Sequence, residues 1–415
     1  MERETSAVPA YSRPLAGIDW HRWAALPVVL LIVAVAIVYT RLGKPSLAVF
    51  WVFGLAFGFV LQRSRFCFAS AFRDLYLLQD GRVIKGIIIG LAVATIGFSL
   101  VMYKLQPDLA AGKLPGHANV YPLGPHTLLA GVLFGLGMVL GGGCATGTLY
   151  RIGEGYVASF VAFLGMLIGM FLLALQWGWW WPKVISIKPK VWLPHKLGWS
   201  GGILVTFIVL LLFYLLVLWW ESRGGPKVSV VAEEPPLHSW KDRVRALGHT
   251  VFVKAWPATL GGLLLGTLNV FEYIYSQPWG VTTEMSRWAG WLVRLLGYPV
   301  EVLLYYGGKP AGYELLKNIP WYSGGALLDW GIIAGSLLAA LLAREFKLRT
   351  PPNRARYAQA LVGGILMGYG ARLAMGCNIG SFFSAIPSLA LNGWVFAVGL
   401  AIGSYFGVLA IKRLA

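Results

Sequence analysis

Gly131-Val-Leu-Phe-Gly135-Leu-Gly137 runs on to Gly143-Cys144-Ala-Thr-Gly147, and Gly364-Ile-Leu-Met-Gly368-Tyr-Gly370 runs on to Gly376-Cys377-Asn-Ile-Gly380. Aligned on the cysteine, glycines coincide thirteen, nine, seven and one residues before it and three after it. Five shared glycines around a thiol are hard to obtain by chance, even in a chain with 52 Gly. They point to a duplicated unit that carries a free cysteine on a closely approached backbone.

The setting of that unit is a bilayer. The chain has 415 residues, 57% of them hydrophobic and 13% charged, with a mean hydropathy of +0.67. That much apolar surface does not fit inside a water-soluble core. Apolar runs near 24–40, 46–61, 84–103, 127–142, 156–176, 201–220, 252–275, 325–343, 358–375 and 393–411 are each long enough, or nearly so, to cross as a helix. The expected fold is therefore an all-α integral membrane protein with about ten transmembrane helices. Nothing in the first 23 residues resembles a cleavable signal.

A net charge of +18 raises the question of nucleic acid, and the distribution of charge answers it. Lys and Arg gather in loops: Arg63, Arg65, Arg73, Arg82 and Lys85; Arg223, Lys227, Lys241, Arg243 and Arg245; Arg344, Lys347, Arg349, Arg354 and Arg356. This is the bias of loops retained on the cytoplasmic side, and it puts both termini there. The loop 177–200, with Lys183, Lys188, Lys190 and Lys196, then falls outside and reads as an electropositive entrance for an anion. Three cysteines form no disulfide framework, and no HExxH, CxxC or His/Cys cluster is present. Neither a metal nor another cofactor is expected.

The chain divides into an N-terminal tail with an added helix (1–45), a first half (46–220), a polar Pro/Gly-rich linker (221–250) and a second half (251–415). The two glycine-cysteine helices are the fourth and ninth apolar runs. An odd offset makes them cross in opposite directions, which reads as two inverted repeats about a site near the midplane. Several helices look broken or re-entrant around a central path. The run 46–61 passes at once into Gln62-Arg63-Ser64-Arg65-Phe66-Cys67, and 279–306 is amphipathic and Trp-rich. Broken helices at membrane depth persist only where protein buries them or they line a cavity.

The candidate path residues follow. Cys144 and Cys377 are framed by Gly143, Gly147, Gly376 and Gly380, where neighbouring backbone can approach. A lone Cys in such a helix is ordinarily an inert small apolar residue, and the duplicated frame argues otherwise. Cys67 lacks the frame but follows Arg63 and Arg65, whose positive charge favours a thiolate or an anion nearby. Arg372 lies inside a span, where a charge costs at least about 2.5 kcal/mol, so a carbonyl, a distant carboxylate or a transported anion must compensate it. Val139 stands at the matching position of the first copy. Asn378, Thr146, Thr148, Ser381 and Ser384 add neutral hydrogen-bonding groups, which also commonly join membrane helices. Arg73-Asp74 and Arg151/Glu154 read as loop ion pairs. No intramembrane carboxylate stands out as a proton carrier, and no nucleotide-binding motif is present.

Three motifs together, Gln-Arg-Ser-Arg-Phe-Cys67-Phe-Ala-Ser-Ala-Phe-Arg-Asp, Gly-Gly-Gly-Cys144-Ala-Thr-Gly and Gly-Ala-Arg-Leu-Ala-Met-Gly-Cys377-Asn-Ile-Gly, resemble the YeeE/YedE family of sulfur-transport membrane proteins. The likeness extends from about residue 45 to 411. It implies an inner-membrane importer of thiosulfate, not an enzyme, with an hourglass of inverted repeats and Cys67, Cys144 and Cys377 along the central path. The chain's length places it nearer the YedE branch, for which selenium species are alternative substrates. Some relatives work with a small soluble sulfur-carrier protein. Two other classes stand beside the importer: a membrane sulfurtransferase that forms a cysteine persulfide, and a passive scaffold.

Overall fold

The computed structural model describes residues 20–110, 112–224, 248–308 and 322–414. Besides a short helical stretch at 248–252 they contain these α-helices: α1 (Trp20–Arg41), α2 (Pro45–Ser64), α3 (Phe68–Leu78), α4 (Arg82–Leu105), α5 (Pro125–Gly141), α6 (Ala145–Gly153), α7 (Val157–Trp180), α8 (Leu193–Ser222), α9 (Ala258–Tyr275), α10 (Thr282–Leu295), α11 (Gly324–Leu342), α12 (Ala355–Leu373) and α13 (Leu391–Leu414). Two short segments, Trp181–Ile185 and Ile379–Phe383, wind with the wider π spacing. Among the described residues the β structure is confined to isolated bridges.

Each of the ten expected apolar runs coincides with a helix. Eight stretches, containing α1, α2, α4, α5, α7, α8, α11 and α13, are long and apolar enough to cross a bilayer. The chain is an integral membrane protein. The other two runs became α9, which carries Asn269 and Glu272, and α12, which carries Arg356, Gln359 and Arg372. Asn269, Glu272 and Arg372 are buried, and Arg356 and Gln359 are half-buried. Leu204, Leu211, Leu212 and Leu215 of α8 and Leu30, Leu31 and Ile37 of α1 are exposed instead, as a lipid-facing surface requires.

Glycines bring the helix backbones together in pairs. In α4 and α9, Gly86 meets Ala258 and Gly262, and Gly90 meets Gly262 and Gly266, so the two run parallel. In α2 and α11, Gly54 meets Leu328 and Gly331, and Gly58 meets Ile332, again parallel. The same holds for α5 with α13, through Gly131–Gly399 and Gly135–Leu400, and for α7 with α12, through Gly165–Gly364 and Gly169–Ile365. The two glycine-cysteine helices themselves touch in the opposite sense. Gly137 of α5 meets Gly363 and Met367 of α12, while Gly370 meets Ala130 and Phe134. Replacing α2, α4, α5 and α7 by α9, α11, α12 and α13 in order reproduces this set of pairs.

Four of the helical runs are interrupted: α2/α3 at Arg65–Cys67, α5/α6 at Gly142–Cys144, α9/α10 at 276–281, and α12 at Ala374–Asn378. One expectation needs correction. Carboxylates do stand within the membrane helices: Asp329 in α11 and Glu272 in α9 are both buried. The apolar character of the surrounding residues hid them from a reading based on span hydropathy. The expected linker at 221–250 lies mostly outside the described residues, and α8 continues through Glu221 and Ser222.

Contact this close between backbones leaves no room for a side chain. A Cβ on Gly262 would fall on the carbonyl oxygen of Gly86, whereas one on Gly178 would meet nothing within 4 Å. Gly262→Val is expected to lower the stability of the detergent-solubilised protein by at least ~1–3 kcal/mol. Gly178→Ala is expected to leave it unchanged. Thermal melting followed by size-exclusion recovery checks both.

Candidate functional site

Each cysteine follows a helix break with one repeated geometry. The residue two positions before it has a left-handed backbone: Arg65 (φ 48°) before Cys67, Gly142 (φ 76°) before Cys144, and Met375 (φ 62°) before Cys377. Only one of the three is glycine. Arg65 and Met375 hold a conformation that costs a non-glycine residue roughly 1 kcal/mol or more, and such strain concentrates at functional sites. Nothing in the sequence signals it.

The three thiols are buried, with at most 1% exposure, and unpaired by any disulfide. Cys67 and Cys144 meet in hydrogen-bonding contact, through their side chains and through the Cys144 backbone. Cys144 begins α6, and its Sγ accepts from Gly147 N at 3.2 Å. A Cβ on Gly147 would lie 2.9 Å from Cys67 Sγ and 3.1 Å from Cys144 Sγ, so glycine at this position makes room for the pair. Cys377 Sγ accepts from Ile379 N at 3.4 Å and also makes hydrogen bonds with the Thr282 side chain and the Val281 backbone. The α9/α10 break thus meets the α12 break as the α2/α3 break meets the α5/α6 break, with a hydroxyl where the first site has a second thiol.

The other framing glycines differ among themselves. Gly376 is crowded by Ser381, whose Oγ would lie 2.6 Å from an added Cβ. Gly143 is in ordinary contact with Arg151, and Gly380 faces open space with nothing within 4 Å. Two polar side chains beside the cysteines, Thr146 Oγ1 and both amide atoms of Asn378, are buried without a hydrogen-bond partner among the described residues. Rings from the two sites close on one another. Phe68, next to Cys67, packs edge-on against Phe382 and Phe383 with centroids 6.1 and 5.6 Å away, and Trp279 stacks on Phe57 at 3.9 Å.

A guanidinium accompanies each site. Arg372 is fully buried and donates to the Tyr305 hydroxyl and, at 3.1 Å, to Thr283 Oγ1. Its compensation is therefore a tyrosine and a threonine from the α10 region, which no spacing around Arg372 reveals. At the first site the cation is Arg151, whose Nη1 donates to Gly142 O and whose charge reaches Cys67. The reading of Arg151 as half of a loop ion pair missed this. Its place seven residues after Cys144 was the available signal. Arg63 and Arg65, expected to act on Cys67, are instead drawn to Glu345, at 3.6 and 3.0 Å. Arg63 also donates to Phe252 O at 3.2 Å.

Beyond the first site opens a cavity of about 1300 Å³ whose walls include Ser70, Tyr150 and Arg151 at its inner end and Arg65, Lys85 and Arg349 further out. Cations outnumber carboxylates around it. In its loops, burial pushes the Glu154 carboxyl up against the pull of Arg151, and the Arg82 guanidinium holds Asp80 below the usual carboxylate range. The cavity lies at the face from which α1, α4, α7 and α12 start, opposite to the loop 177–200. The contact between Cys67 and Cys144 carries a direct prediction. Mild oxidation of membranes should join these two residues and leave Cys377 alkylatable, which peptide mass spectrometry reads.

Comparison with known proteins identifies the family. A family model described as sulphur transport matches residues 63–406. The thiosulfate transporter TsuA of Spirochaeta thermophila is 30% identical over 367 residues, 85% of this chain and 95% of the relative. TsuA of Escherichia coli K12 is 30% identical over 359 residues, 84% and 90% of the two chains. A probable transporter, YedE of the same bacterium, is 38% identical over 160 residues, 38% of this chain and 39% of its own. The chain, from its first arginine-flanked cysteine to its last helix, belongs to the sulphur transport family.

Proposed function

We propose that this protein is an inner-membrane importer of thiosulfate, or of a closely related sulfur-containing anion, and not an enzyme. Its two halves are inverted repeats, the anion passes along a path that includes Cys67, Cys144 and Cys377, and both termini are cytoplasmic. The observation that carries the reading is the shared setting of the three thiols: buried, each after a helix break, with a guanidinium at both sites. The antiparallel crossing of α5 and α12, the repeated pairing of helices and the relatives named thiosulfate transporters support it.

The chemistry suits a dianion with one soft and one hard end. Thiols are weak donors and polarisable neighbours, which hold a terminal sulfur without trapping it, and weak repeated sites permit exit as well as capture. Arg151, Arg372, Asn378 and Thr146 supply charge and polar hydrogen-bonding groups for the oxygens, whose desolvation in hydrocarbon is otherwise prohibitive. The reading requires no cleavage of the S–S bond. In this reading a small soluble sulfur-carrier protein takes the product at the wide basic cavity. Inward movement of two negative charges opposes an inside-negative potential, at about 2.3 kcal/mol per charge per 100 mV.

Uptake of thiosulfate labelled separately at each sulfur, in cells lacking other thiosulfate importers, tests this. Wild type should deliver both labels in step, and Cys67→Ala, Cys144→Ala and Cys377→Ala should each lower initial uptake by about tenfold or more. Arg372→Lys, which keeps the charge and loses the planar fork, should lower it by a similar factor. Unchanged uptake in all three cysteine variants rules out the thiol path, and delivery of a single label points to the sulfurtransferase.

A further inference from the structure

Asp329 lies in the second turn of α11, fully buried, and neither carboxylate oxygen has a hydrogen-bond partner among the described residues. The groups near it are acids and a thiol. Glu284 comes from the start of α10, beside Gly325 of the preceding turn; Glu272 comes from α9; Cys377 comes from the break after α12. Glu284 has its own cation, Arg287, at 3.1 Å. Glu272 is 1% exposed, and its Oε2 has no partner among the described residues.

The remaining elements packed on α11 bring no charge to this level. There α2 presents Trp51, Gly54 and Gly58, and its Arg63 stands at the far end with Glu345. Helix α6 touches α11 two turns further on, at Ile333 and Ser336, where Arg151 turns back to Gly142. Helix α1 is uncharged between Arg22 and Arg41. Arg372 of α12 is directed to Tyr305 and Thr283. An ionised carboxylate without donors or a paired cation is untenable in such a place, and an intramembrane acid beside a transport path is the usual mark of a proton relay.

We propose that Asp329 is a proton-binding site and that the anion moves inward together with protons taken up there, which makes the protein a proton-coupled importer. This deepens the import reading and rests on it. A proton passes from external water to the Asp329 carboxylate while the anion occupies the Cys377 end. It is released to internal water once the anion has moved on toward Cys67 and Cys144. No bond to sulfur is made or broken, and no electron is transferred.

The full chain in sealed proteoliposomes, with radiolabelled thiosulfate and a pH-sensitive dye inside, tests the coupling. An acid-outside gradient should raise initial uptake by about fivefold or more over equal pH, and thiosulfate added outside should acidify the lumen. Asp329→Asn should abolish the gradient effect and the acidification while thiosulfate exchange against internal thiosulfate stays within about twofold of wild type. Asp329→Glu, which keeps an ionisable group, should retain coupling with a displaced pH profile and serves if the Asn variant does not insert. Wild-type uptake with no response to the gradient and no acidification overturns the proposal, as does an Asp329→Asn variant that remains coupled. A wild type that carries no thiosulfate at all defeats the import reading instead.

Discussion

Backbone polar groups cannot be left unpaired in hydrocarbon, and this protein interrupts four helical runs inside its membrane-spanning body. The rest of the structure follows from the need to satisfy those breaks. Asn269 donates to Ser384 Oγ and accepts from Trp279 N, and Ser384 Oγ donates to Trp279 O, which ties the α9/α10 break to the turn after Cys377. Asn119 Nδ2 donates to Gly380 O, and Ser381 Oγ donates to Ala374 O. At the opposite break Cys144 Sγ accepts from a backbone N–H that would otherwise be an orphan. The glycine contacts bring the surrounding helices close enough to seal these groups from lipid.

The two sites are alike in plan and different in chemistry. Two thiols and Arg151 meet at one, and a thiol, Thr282, Thr283 and Arg372 at the other. The first site is therefore the softer, with a second thiol where the other has the harder hydroxyl of Thr282, and each keeps one guanidinium. Such a gradient of donor character suits an anion whose two ends differ in the same way.

The fold was largely legible because it rests on composition and periodicity. All ten apolar runs became helices, the shared glycine frame marked the breaks that follow α5 and α12, and the odd offset in the order of the runs implied their opposite directions. Features that depend on contacts distant in sequence were not legible. Glu345 takes Arg63 and Arg65 from across the chain, and Tyr305 reaches Arg372 from a segment with no recognisable pattern. Arg151 looked like an ordinary loop residue because its neighbour Glu154 offered a local partner. Asp329 disappeared within an apolar average, since a single carboxyl barely lowers the hydropathy of a nineteen-residue helix.

The rings of Phe57, Phe68, Trp279 and Phe383 add an electrical consequence. Drawn from both halves and packed face to face or edge to face, they join the segment that follows Cys67 to the segment that follows Cys377. Packed rings are a low-dielectric filling, and such a filling raises the cost of passage for small hydrated ions.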